Sequence, residues 1–198
     1  MSIMMARDST ATRARILDAA IAEFTAYGLA GARIDRIAET ADANKRSIYV
    51  YFENKELLFN AALHRVLSDL TAAVPLTEDD LPGFAGRMFD YTLAHPQAVR
   101  MSMWRKLERP AAGPNDSALF AEKIATMTAG HSGATSGLPP TDLIVLIFGI
   151  AAAWMNSPDD LLSADGSDPT SPERIAVHRA ALVEAARRVC APPSAPEG

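Results

Sequence analysis

Alanine fills 37 of the 198 positions, and almost no stretch alternates β-branched with polar residues. Alanine loses no side-chain entropy in a helix, and a half-buried strand needs the two-residue alternation that is missing here. The chain is therefore predicted to be all-α. With 48% hydrophobic and 22% charged residues it can bury a core without disulfides or a structural metal. Cys190, the single cysteine, can form neither an internal disulfide nor a Cys-rich zinc site, which fits a reducing compartment. The opening MSIMMARDSTATRAR has no apolar signal-peptide core. The longest charge-free apolar run, Leu143 to Met155, is 13 residues, short of the ~20 that span a bilayer. A cytoplasmic protein that does not enter membranes is expected.

Charge divides the chain. Residues 1–65 carry nine Lys/Arg and eight Asp/Glu, whereas residues 66–198 carry ten and sixteen. So acidic a chain, at −5 overall, does not coat nucleic acid indiscriminately, but a small N-terminal module can still gather basic groups on one face.

Helical periodicity places the first helix at about Thr10–Tyr27, with Ile16, Leu17, Ala20, Ile21, Phe24 and Tyr27 on one apolar stripe. Gly28 is expected to end it in a left-handed conformation. Two short helices follow, about Ile34–Ala41 and Lys45–Tyr51, around the turn Asp42-Ala43-Asn44. Asp42 tolerates a left-handed backbone, and Asn44 suits an N-cap. A longer helix runs from Lys55 to about Val74. Further helices are expected at Leu81–Ala94, Pro96–Glu108, Ser117–Thr128, Thr141–Met155 and Pro172–Cys190, with loops over Gly130–Pro140 and Asn156–Thr170.

The short pair is the informative segment. Helices of about two turns are unstable alone, so Ile34, Ile37, Ala38, Ala41, Ile48 and Phe52 are expected to bury them against their neighbours. Lys45, Arg46, Tyr49 and Val50 then fall on the outer face of the second helix. This is the layout of a helix-turn-helix, whose second helix enters the DNA major groove.

At these residues the chain resembles the tetracycline-repressor (TetR) family of bacterial transcription regulators. The likeness runs over about residues 10–60, through Ala19-Ala20, Phe24 and Gly28, then Ile37-Ala38 and Ala41, then Ile48-Tyr49-x-Tyr51-Phe52-x-x-Lys55-Glu56-x-Leu58. The chain departs from the family habit at several positions: Ala32-Arg33 stand where Thr or Ser usually caps the second helix, Asp42 replaces a turn glycine, and Arg46 replaces a small residue. Val50 stands where His is frequent. The resemblance and the geometry together make Lys45 and Arg46 candidates for guanine edges or phosphates. Tyr49 is a candidate for a base or a phosphate, and Val50 for a thymine methyl. Tyr51 and Lys55 become phosphate contacts, Arg33 an electrostatic substitute for the missing hydroxyl, and Asn44 the cap that presents the helix N-terminus.

The resemblance implies an N-terminal three-helix helix-turn-helix DNA-binding domain over residues 1–60. A larger helical effector-binding and dimerisation domain over 61–198 follows. Met and aromatic side chains accommodate irregular apolar ligands; Phe84, Met88, Tyr91, Met101, Trp104, Phe120, Phe148 and Trp154 are therefore candidate lining for an apolar or aromatic effector, or plain core. The apolar helix containing Leu143 and Ile147, and the last helix with Ile175, Leu182, Val183 and Ala186, are the candidate homodimer contact. A two-fold dimer would read a near-palindromic double-stranded DNA operator, which makes a ligand-responsive repressor the expected function. The alternatives are a ligand-binding helical module that no longer reads DNA and, more distantly, a small-molecule enzyme using the large-domain pocket.

Other chemistry finds no support in the sequence. Gly130-His131-Ser132-Gly133-Ala134 lacks the final glycine and preceding strand of a hydrolase elbow. The four histidines are dispersed, and the Asp159–Asp168 stretch lacks calcium-loop spacing. No catalytic residue, metal site or cofactor is expected.

Overall fold

The computed structural model describes residues 2–108, 121, 124, 125 and 137–192. Its helices are α1 (Ser2–Gly31), α2 (Ile34–Thr40), α3 (Lys45–Phe52), α4 (Lys55–Ala73), α5 (Leu81–Ala94), α6 (Pro96–Glu108), α7 (Pro140–Asn156), α8 (Asp159–Leu162) and α9 (Pro172–Cys190). A 3₁₀ turn, Glu78–Asp80, leads into α5. No strand occurs among the described residues. Most of the expected helix Ser117–Thr128, Phe120 included, lies outside the described residues, as does the Gly130–Ala134 segment.

Two elements differ from expectation. Helix α1 begins at Ser2 rather than near Thr10, because no proline or glycine interrupts residues 2–27 and a capping residue does not by itself stop a helix. The short α8 forms inside the expected Asn156–Thr170 loop. It starts directly after Pro158, and Asp159 and Asp160 in its first turn suit the positive end of the helix dipole.

The chain forms two compact units: Met1–Ala72 with His95–Ala111, and Ala73–Ala94 with Ala112–Gly198. Helix α4 continues straight through residue 60, and α6 joins the first unit from beyond α5. The reason is hydrophobic burial. Leu58, Phe59, Ala62, Leu63 and Val66 of α4, with Ala98 and Met101 of α6, share one core with Ile16, Leu17, Ala20 and Phe24 of α1. Phe24 and Phe59 meet edge to face at 5.1 Å. Ile37 and Ala38 of α2 and Ile48 and Phe52 of α3 close that core. Each fully buried large apolar side chain contributes ~1.5–3 kcal/mol, so the two short helices are held by packing rather than by their own hydrogen bonds.

Polar contacts fix how these helices enter and leave. Asp42 has φ 47° in the α2–α3 turn, where Arg15 Nε donates to the Ala41 carbonyl at 3.1 Å. Arg33, the N-cap of α2, provides no side-chain cap. Its backbone N–H donates instead to Glu23 Oε1 at 2.8 Å, and Arg36 grips the same carboxylate through Nε at 2.8 Å and Nη2 at 2.6 Å. Arg36 Nη2 also donates to the Gly31 carbonyl. Its guanidinium stacks 4.3 Å from the Tyr27 ring centre, and Tyr27 is 51% exposed rather than part of the buried α1 stripe. Burial pushes the Glu23 carboxyl up, but the Arg36 hydrogen bonds, the Arg33 N–H and the charges of Arg36 and Lys55 outweigh it and hold it below the usual glutamate range.

Gly28 breaks α1 with φ 67° and ψ −173°. The turn it opens is clasped by the C-terminal end of α6: the N–H groups of Leu29 and Ala30 donate to Glu108 Oε2 at 2.6 and 3.0 Å. Trp104 Nε1 donates to the Thr25 carbonyl at 3.3 Å. A Cβ on residue 28 would lie 2.7 Å from Glu108 Oε1 and 2.8 Å from the Trp104 ring, so both the backbone conformation and the space demand glycine.

In the second unit α5 packs against α7 and α9. Gly86 permits close approach, since a Cβ there would meet Val183 Cγ2 at 3.0 Å. Arg179 pairs with Asp90 at 2.8 Å to tie α9 to α5. Leu143, Ile144, Ile147 and Ala151 of α7 and Leu182 and Ala186 of α9 are buried within the single chain.

Two outcomes follow for the first unit. Gly28→Ala should lower unfolding free energy by about 2–4 kcal/mol in urea titration, from left-handed strain plus overpacking against Trp104; a loss under ~1 kcal/mol would contradict the close fit. Glu23→Gln should lower the melting temperature at pH 7. Because the native Glu23 pKa is depressed, its stabilisation is complete above the ordinary glutamate range and disappears as pH falls through the native value. The gap between variant and parent should therefore close in acid, and a gap independent of pH would refute the charge-based account.

Candidate nucleic-acid interface

Helix α3 is eight residues long and two-faced. Ile48 and Phe52 are buried, while Lys45, Arg46, Tyr49 and Val50 share the opposite, exposed side. Tyr49 is 48% and Val50 71% exposed. Asn44 begins the helix: its Oδ1 accepts from the Ser47 N–H at 2.8 Å and from Ser47 Oγ at 3.0 Å. That oxygen is committed to the cap, so Asn44 orients the helix.

The remaining expected contacts are placed unequally. Arg33 is exposed where α2 begins. Tyr51 is half-buried, in edge contact with Phe52 at 6.4 Å and packed on the core. Lys55 Nζ donates to the Ala30 carbonyl at 3.2 Å, in the turn that Glu108 clasps. Lys45 Nζ pairs with Asp35 Oδ1 of α2 at 2.5 Å, and this hydrogen bond, the largest influence, holds the Asp35 carboxyl below the usual aspartate range.

Sequence reasoning passed over several residues that position the interface. Glu23 lies on the buried side of α1 with Ile16, Ala20 and Phe24, and a carboxylate on an apolar stripe is a legible sign of a buried partner. Asn54 directly before Lys55 is a recognisable cap, and its Oδ1 accepts from the Leu57 N–H at 2.8 Å. Arg13 lies 4.9 Å from the Phe52 ring centre. Glu108 left no local signal, because its partners lie 78 and 79 residues away.

The residues expected to line an effector pocket are divided between the two units. Met101 is buried in the first unit's core and Trp104 packs against it, because α6 belongs to that unit. In the second unit Phe84 and Phe148 meet edge to face at 5.7 Å, with Met88 and Trp154 buried and Tyr91 half-buried. His178, which sequence reasoning did not select, sits 4.4 Å from the Trp154 ring and 5.4 Å from Phe89. Its Nε2 is buried without a hydrogen-bond partner. Burial, then the charge of Arg174, pushes its pKa down, which keeps the imidazole neutral at neutral pH.

The residues expected at a dimer contact divide between core and partly exposed positions. Leu143, Ile147, Leu182 and Ala186 are core residues of the single chain, and Ile175 and Val183 are half-buried. The same two helices turn other apolar and small residues outward: Val145, Leu146, Gly149 and Ala153 on α7, and Val177 and Ala181 on α9. On both helices the buried face packs against α5. Among the described residues no group of three His, Cys, Asp or Glu is arranged to hold a metal. No described helix is long and apolar enough to cross a membrane.

Two family models match the chain. Residues 16–62 match the bacterial regulatory proteins of the tetR family, and residues 80–188 match the tetracyclin repressor-like C-terminal domain. The HTH-type transcriptional repressor SCO4008 of Streptomyces coelicolor is 42% identical over 154 residues, covering 75% of this chain and 80% of that protein. The HTH-type transcriptional repressor NicS of Pseudomonas putida is 36% identical over 101 residues, 48% of each chain. The crystal structure of transcriptional regulator SCO4942 from Streptomyces coelicolor superposes with a TM-score of 0.77 at 36% identity, over 89% of this chain and 97% of that one. A two-faced α3 held on a helix-turn-helix, with both halves of the chain matched, leads to one conclusion: this protein belongs to the TetR family of DNA-binding transcription regulators, which are not enzymes.

Proposed function

We propose that the protein is a ligand-responsive repressor that binds a near-palindromic operator as a homodimer. The observation that carries this reading is the outward face of α3, where two cations, a phenol and a bare valine stand together on a helix whose other side is locked into the core. Lys45 and Arg46 supply donors for guanine edges or phosphates, Tyr49 reaches a base or phosphate, and Val50 packs on a thymine methyl. Arg33, Tyr51 and Lys55 set register on the backbone. The names of SCO4008 and NicS support repression as the sign of control.

Dimerisation is assigned to the faces that α7 and α9 leave open, with Val145, Leu146 and Gly149 against Val177 and Ala181 of a second copy. No neighbouring atom lies within 4 Å of the place a Cβ on Gly149 would occupy, so a partner helix can approach closely there. Ile175 and Val183 flank this surface. The effector is a small apolar or aromatic compound received among Phe84, Phe148 and Trp154, with His178 Nε2 as a polar anchor. Such a ligand loosens the repressor only through its differential affinity for the DNA-bound and DNA-free states.

The test is selection of bound fragments from a genomic DNA pool by the purified protein. A palindrome should emerge, and Arg46→Ala or Tyr49→Ala should weaken its binding roughly tenfold to a hundredfold. Enrichment of no sequence would overturn the reading. Separately, Val177→Asp should convert a dimer to a monomer in light scattering with helicity intact, and an unchanged dimer would move the interface elsewhere.

A further inference from the structure

We infer that Asp35 is a specificity-determining residue, which withholds the charge of Lys45 from random DNA while leaving Lys45 donors for a base edge beside Arg46, Tyr49 and Val50. The inference rests on α3 being the DNA-reading helix and adds a function for an α2 side chain.

The geometry is specific. Asp35 stands in the first turn of α2 and Lys45 is the first residue of α3, and their charged atoms meet at 2.5 Å. Both side chains are more than half exposed, so the pair contributes little to stability and needs another reason to matter. Its effect lies in the charge that the helix-turn-helix presents. Non-specific affinity for DNA comes from cations that replace condensed counterions on phosphates. A lysine already neutralised by a carboxylate releases none. Drawing Lys45 onto a phosphate would also leave the Asp35 carboxylate unpaired beside a polyanion.

A base edge makes a different demand. A lysine ammonium has three donors, so Lys45 can keep one on Asp35 and direct another at a guanine O6 or N7. The pair thus weakens the contact every sequence offers and preserves the one that a particular sequence offers.

Asp35→Asn removes the negative charge at nearly constant volume. The experiment measures fluorescence anisotropy of the full-length protein with a short random-sequence duplex, and with the selected operator, between about 50 and 200 mM salt. Asp35→Asn should bind the random duplex at least severalfold more tightly at low salt. The slope of log affinity against log salt should steepen by about 0.9 for each recognition helix engaged, and the ratio of operator to random affinity should fall. Asp35→Glu, which restores the pair, should behave as the parent, and adding Lys45→Ala to Asp35→Asn should abolish the gain. An unchanged random-DNA affinity and slope, with only a lower melting temperature, would make the pair a mere staple between α2 and α3 and overturn the inference. Parent protein that shows no salt-dependent binding to any duplex would instead overturn the DNA-reading assignment itself.

Discussion

Burial of the α2–α3 pair against α1 and α4 is the constraint on which the DNA-reading surface depends. Helices of seven and eight residues fix too few hydrogen bonds to offset their nucleation cost. Ile37, Ile48 and Phe52 therefore carry the load, inserted beside the Phe24–Phe59 pair. Because the same α3 residues that fill the core also set which side faces out, packing and recognition are coupled. A change at Ile48 or Phe52 that rotated the helix would move Lys45, Arg46, Tyr49 and Val50 together.

Directional contacts then refine what the nondirectional core leaves loose. Glu23 joins the start of α2 to α1 by accepting from the Arg33 N–H and the Arg36 guanidinium, although no N-cap side chain bonds the first turn of α2. Glu108 and Trp104 do the same at the end of α1, where Gly28 lets the chain turn. Lys55 holds the Ala30 carbonyl in that same turn, so a proposed phosphate contact and the end of α6 meet at Ala30.

Much of this was legible in the sequence because its causes are local. Periodicity located α5, α6 and α9 to the residue, and Gly28, Asp42 and Asn44 behaved as their backbone preferences require. The outward set on α3 follows from a helical wheel once the inward set is known. The destination of each apolar face was not legible in this way. Met101 and Trp104 were read with Phe84 and Phe148, yet they occupy a different unit, and Leu143, Ile147, Leu182 and Ala186 proved to be intrachain core.

The sequence by itself determined the helical class, most of the helix ends, the helix-turn-helix and the residues it exposes, since these depend on neighbours within a few positions. Only the tertiary structure decided which apolar face meets which partner, that α6 packs with the N-terminal helices, and that Asp35 sits on Lys45 and Glu108 on the Gly28 turn. An apolar stripe specifies that a face must be buried but not by what. A carboxylate likewise carries no record of a donor many residues away until the fold brings them together.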